Sequence, residues 1–135
     1  MSKYVEYATE LSDPKHLVRA LHDLGMDDVE VNQEPVTLYD YHGHRRPQKA
    51  EIVIRRYKTG LGASNDIGFA RGVDGKYTAV ISDYDRGVKF DEKWMGQLAQ
   101  HYQASRTLAI AKQRGYIFKS RTVENGKIRL QFAVR

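Results

Sequence analysis

The sequence has no cysteine. That one absence removes a disulfide framework, a thiolate zinc site, a cysteine-held iron-sulfur cluster and a cysteine nucleophile. Long apolar runs are missing too, since none approaches the roughly 20 residues needed to cross a bilayer. The opening residues, Met1-Ser2-Lys3-Tyr4-Val5-Glu6, lack the basic-then-apolar plan of a signal peptide, so the chain is expected to stay in the compartment where it is made, the cytoplasm. A phosphate-cradling glycine loop is also absent, because Gly60-Leu61-Gly62 precedes no helix and no Gly-Lys-Ser/Thr follows it. No RNA-recognition, KH or zinc-finger signature is present.

What is there fits one compact domain over residues 1–135: 41% of residues are apolar and 29% charged. Lys and Arg number 22 against 17 Asp and Glu, a net charge of +5. That figure is a remainder of unequal zones. Residues 1–41 hold three basic and nine acidic groups, and residues 42–58 hold six and one. Residues 59–105 are near balance, whereas residues 106–135 hold eight basic groups and one acidic. Such asymmetry creates an oriented field that suits an acidic protein or a polyanion.

Alternating apolar residues predict strands over Tyr4–Thr9, Val29–Val31, Val36–Tyr41, Ala50–Tyr57, Asp66–Arg71 and Lys76–Asp83. Glu34-Pro35 is expected to interrupt the second and third. Asp13-Pro14 starts a helix whose inner face is Leu17, Ala20, Leu21 and Leu24, and Gly25 stops it. Asp91 starts a longer helix running to about Arg114, with Trp94, Leu98, Tyr102 or His101, Ser105 and Leu108 inward and Gly115 as terminator. Lys58–Asn65 reads as a flexible stretch. The chain closes in a hairpin, Tyr116–Val123 with Lys127–Val134. Strand-helix-strand-strand therefore occurs twice, which predicts an α+β fold: a mainly antiparallel sheet of about seven strands with two helices on one face, and a pseudo-duplicated unit.

The final hairpin admits two registers. A two-residue turn at Asn125-Gly126 would set Leu130 opposite Arg121 and Phe132 opposite Lys119, mixing charged and apolar side chains on one face. A three-residue loop, Glu124-Asn125-Gly126, separates them, so Lys119, Arg121, Lys127 and Arg129 are expected to share a basic face. A second basic patch, Arg45, Arg46, Arg55 and Arg56 with Tyr39 and Tyr41, has the mixture that stacks bases and holds phosphates. Acidic residues of the N-terminal third are available to neutralise the hairpin face within the fold.

Asp40, His42 and His44 alternate, as metal ligands on a strand can, but Gly43 and Arg45-Arg46-Pro47 favour a turn. Asp83 and Asp85 read as loop residues, and Asp91 and Glu92, at a helix start, are better explained by capping and the helix dipole than by acid-base chemistry. His101 has no nucleophile motif around it.

Three stretches, Arg46-Pro47-Gln48-Lys49-Ala50-Glu51-Ile52-Val53-Ile54, Asp66-Ile67-Gly68-Phe69 and Gly126-Lys127-Ile128-Arg129-Leu130, are similar in order and spacing to a known family. It is the domain-of-unknown-function family that includes the conserved plastid hypothetical reading frame number thirty-five, and the resemblance spans nearly the whole chain. This sequence departs from it at Ile81-Ser82-Asp83-Tyr84 and His101-Tyr102-Gln103-Ala104, where members carry a tryptophan-containing stretch and an Arg-Tyr-Ala-Tyr-like segment. The resemblance implies association with an ATPase-containing assembly, the plastid stroma as the location of a plastid-encoded member, and no catalytic residues. The resulting expectation is a noncatalytic adaptor without a cofactor, binding an acidic protein or nucleic acid through its basic residues. The alternative is a metal-dependent accessory or small enzyme built on Asp40, His42 and His44.

Overall fold

A computed structural model describes residues 3–134. The chain runs β1 (Tyr4–Ala8), α1 (Pro14–Asp23), β2 (Glu30–Tyr39), β3 (Arg45–Ile54), a 3-10 turn (Arg56–Lys58), β4 (Ile67–Arg71), β5 (Tyr77–Ser82), α2 (Asp83–Val88), α3 (Glu92–Gln113), β6 (Ile117–Glu124) and β7 (Lys127–Ala133). The class is α+β and every strand pair is antiparallel. The seven strands divide into a five-stranded sheet, ordered β1-β5-β4-β3-β2, and a separate β6-β7 ribbon. No helix among the described residues is long and apolar enough to cross a membrane.

Both main helices start and stop by local chemistry. The Asp13 carboxylate accepts the Lys15 N–H at 2.9 Å, and Asp91 accepts the Trp94 N–H at 2.9 Å, each satisfying an amide that has no partner within its helix. Both helices end in the same cap. Gly25 and Gly115 take positive φ, and the residues after them, Met26 and Tyr116, donate back to the carbonyls of Leu21 and Ala111. Leu17, Ala20 and Leu21 of α1, with Trp94, Leu98 and Tyr102 of α3, bury against one face of the large sheet, on Ile52, Ile54, Ile67, Phe69, Tyr77, Ala79 and Ile81. Full burial of each large side chain contributes about 1.5–3 kcal/mol. Tyr102 also joins the helices, its hydroxyl accepting the Ser12 and Asp13 amides.

The opposite sheet face is closed by the chain itself. β2 is continuous through Glu34-Pro35, where a break was expected, because a register shift between Val31 and Val36 absorbs the misfit as a bulge. The distal half of the β2–β3 hairpin then lays Leu38 and Ala50 beside Tyr4, Val53 and Val80. Gly68 permits this approach. A Cβ there would lie 2.6 Å from Ala50 Cβ, too close for any other residue without movement. Three further local expectations need correction. Arg45-Arg46-Pro47 belongs to β3 and not to the connection before it. Asp83–Val88 forms a short helix. Lys58–Asn65 is pinned, with Thr59, Ser64 and Asn65 buried.

Candidate functional site

The pinning of that loop depends on two buried carboxylates. Asp85 accepts hydrogen bonds from Ser64 Oγ (2.9 Å), Ser82 Oγ (2.7 Å), Asn65 N (3.1 Å) and Asn65 Nδ2 (3.2 Å). Four donors replace the water its charge loses, which makes the group structural. Asp66 accepts the Tyr39 and Arg56 amides at 2.8 and 2.7 Å and Arg55 Nη1 at 2.8 Å. Burial, then the Asp66 and Asp85 charges, pushes the Tyr4 hydroxyl well above its ordinary pKa, so it remains a donor, to the Asp66 carbonyl. Sequence reasoning missed Asp66 and misjudged Asp85. A signal for Asp85 existed in Ser82-x-x-Asp85, a capping pattern in which Ser82 Oγ accepts the Asp85 amide at 3.0 Å.

Asp66, Glu30 and Asp40 dismantle most of the basic patch of residues 45–56. Arg55 is clamped between Asp66 and Glu30 at 2.8 and 2.7 Å and donates to the Thr37 carbonyl. Burial alone would lower its pKa, but the bonds to Glu30 and Asp66 outweigh burial and raise it. Its guanidinium also lies over the Tyr39 ring. Arg46 sits over Tyr4, 3.7 Å from Asp40, and Arg56 donates to the Tyr41 carbonyl at 3.2 Å. Arg45 and Tyr41 stay exposed. The stacking surface expected from Tyr39, Tyr41 and four arginines is not assembled, because three of the arginines hold the fold.

The metal candidate fails on geometry. Asp40 Oδ1 accepts the amides of His42 (3.0 Å) and His44 (2.9 Å), so the carboxylate builds the β2–β3 turn. Its burial would raise its pKa, but these donors and the nearby His44 and Arg46 charges hold it below the ordinary carboxylate value. Among the described residues, no group of three or more His, Asp or Glu could hold a metal ion.

The terminal hairpin corrects the expected register. Asn125 and Gly126 both take positive φ, 51° and 74°, as a two-residue type I′ turn requires, and Glu124 pairs with Lys127. Arg121 therefore lies opposite Leu130, the arrangement judged costly from sequence. Two features remove the cost. A bulge at Lys119 returns Phe118 to a position opposite Phe132. Arg121 reaches the helices, donating to His101 Nδ1 at 3.0 Å and lying 4.0 Å from Asp23. The anticipated four-cation face is thus divided. Lys127 and Arg129 share one face with Ser120, Thr122 and Gln131, Arg121 is on the other, and Lys119 is the bulge residue.

On the Arg121 face, Ile128, Leu130 and Phe132 meet Ala99, Gln100, Gln103, Ala104 and Thr107 of α3 across a groove of about 510 Å³. Of the cations after residue 105, Arg106, Lys112, Arg114, Lys119 and Lys127 form no ion pair among the described residues, and Arg129 has a 3.9 Å contact with Glu124, both largely exposed. Tyr116, Ile117, Phe118 and Val123 are exposed apolar neighbours.

A family model described as "Protein of unknown function (DUF1257)" matches residues 20–131. No curated protein and no solved structure matches the chain.

Proposed function

The chain belongs to the DUF1257 family, which brings no activity with it, and from its own residues we propose that it is a noncatalytic binding domain for an acidic protein partner. Its docking surface is the second half of α3 together with the β6–β7 ribbon. The observation that carries this reading is the contrast in charge pairing: Arg46 and Arg55 of the patch of residues 45–56 face acids of the fold, while Arg106, Lys112, Arg114, Lys119 and Lys127 have no ion partner among the described residues. Neighbouring like charges repel, and an acidic surface converts that repulsion into attraction and a faster encounter. Exposed Ile117 and Val123 add aliphatic area beside the cations. Aliphatic side chains offer little to a phosphate backbone but pack against a protein, which favours protein over nucleic acid.

Affinity purification from native extract, with and without nuclease, tests the reading. Partners retained after nuclease treatment and lost with Lys127→Glu/Arg129→Glu support it. Complete loss on nuclease treatment assigns the surface to nucleic acid instead.

A further inference from the structure

The β7 strand borders the groove with an unfinished sheet edge. Because Glu124 and Lys127 are the paired residues that close the turn, the backbone groups of Ile128, Leu130 and Phe132 point away from β6. Among the described residues, no strand lies on that side. Its first position is filled by a side chain: Gln100 Oε1 accepts the Ile128 N–H at 3.2 Å, and Gln100 Nε2 donates to the Gly126 carbonyl at 2.9 Å. A residue of a parallel neighbouring strand makes this same pair of bonds, to a carbonyl and to the N–H two residues further on. The Gln100 amide stands where the first peptide of a third strand would be, and the edge continues past it unpaired at Leu130.

The two faces flanking that edge specify what would fit. Side chains of an added strand alternate between them. One set would enter the groove, over Ala99, Gln103 and Thr107 and beside Ile128, Leu130 and Phe132. The other set would stand beside Lys127 and Arg129 on the opposite face. Apolar groups suit the first set and carboxylates the second, as cross-strand charge pairs. A second copy of β7 is the wrong occupant, because it would bring another Lys127 and Arg129 into a region, residues 106–134, of seven cations and one carboxylate.

We infer that the β7 edge and the α3 groove together accept an extended segment of alternating acidic and apolar residues, which adds as a third strand to the β6–β7 ribbon. This rests on the acidic-partner reading and supplies its mode, main-chain pairing for affinity and alternate pockets for specificity.

The probe is an eight-residue capped peptide alternating Glu with Val, titrated into the full chain while backbone amide exchange is followed by NMR, with a Lys-Val peptide as control. The Glu-Val peptide slows exchange of the Leu130 and Phe132 amides by about tenfold or more, and the Lys-Val peptide does not. Thr107→Trp, an exposed helix position whose new side chain fills the groove, weakens binding by about tenfold with an unchanged urea midpoint. Unslowed Leu130 and Phe132 amides at millimolar peptide overturn the inference, and so does equal slowing by both peptides. If Thr107→Trp binds normally while Lys127→Glu/Arg129→Glu does not, strand addition is wrong and the acidic-partner reading survives. If neither variant alters binding, both are wrong. Slowing that depends on protein concentration without peptide assigns the edge to a second copy and likewise overturns the inference.

Discussion

The β2–β3 and β6–β7 hairpins each follow a helix, and each carries a cluster of cations, yet they occupy opposite situations. The first is built into the large sheet through β3 and β4, and its arginines are held by Glu30, Asp40 and Asp66. The second pairs with no other strand among the described residues and is tied to the helices through Arg121 and Gln100, with an apolar groove between it and α3. Identical residue types thus do different work. An arginine beside a buried carboxylate is part of the scaffold, and one with only water around it is available to a partner. Net charge could not separate these cases, since the cations of both clusters raise it alike.

The contrast is tested most severely at Asp66. Asp66→Ala strips the acceptor from two backbone amides and from Arg55, leaving a partly buried cation, and is expected to cost about 3–5 kcal/mol in urea unfolding. A loss below about 1 kcal/mol would mean that the first hairpin is no better anchored than the second. Arg121→Ala should cost less, about 1 kcal/mol, because Asp23 keeps Arg19 at 3.3 Å and His101 at 3.4 Å. Its signature is local, with faster amide exchange in β6 and β7 and none in β3 to β5. Global loss of protection would show that the ribbon is integral to the main core.

Acidification separates the hairpins in another way. The Arg55 hydrogen bond, working against a smaller burial effect, holds Glu30 below its ordinary pKa of 4.5. A depressed carboxylate contributes stability that is fully present above 4.5 and is lost as pH falls through the lower folded value. Urea midpoints measured from neutral pH down to pH 3 should therefore decline, and less steeply in Glu30→Gln. Parallel curves would remove Glu30 from the account. The smallest effect belongs to Lys127→Glu/Arg129→Glu, which should leave stability within about 0.5 kcal/mol by thermal unfolding, since both side chains lie exposed. A larger loss would make these cations structural after all.

Much of the fold was legible. Asp13-Pro14, Asp91, Gly25 and Gly115 act within a few residues of themselves, so both main helices could be read with their ends. The Asp74-Gly75 hairpin between β4 and β5 is equally local. The sites were less legible. Four cations were assigned to one face of the last hairpin because mixing Arg121 with Leu130 looked costly. That judgement omitted Asp23 and His101, which meet Arg121 only after α1, α3 and the ribbon have packed. The polar stretch before β4 looked flexible for the same reason, since its partners, Tyr39, Tyr41 and Asp85, come from other elements.

The sequence by itself determined the α+β class, the helix caps, the apolar faces and the concentration of positive charge after residue 105, because each follows from composition or from neighbours a few positions apart. Tertiary structure alone decided which cations are internal and which face solvent. That outcome depends on charge pairs between elements distant in the chain, and on a turn, a bulge and a helix contact that together select one hairpin register.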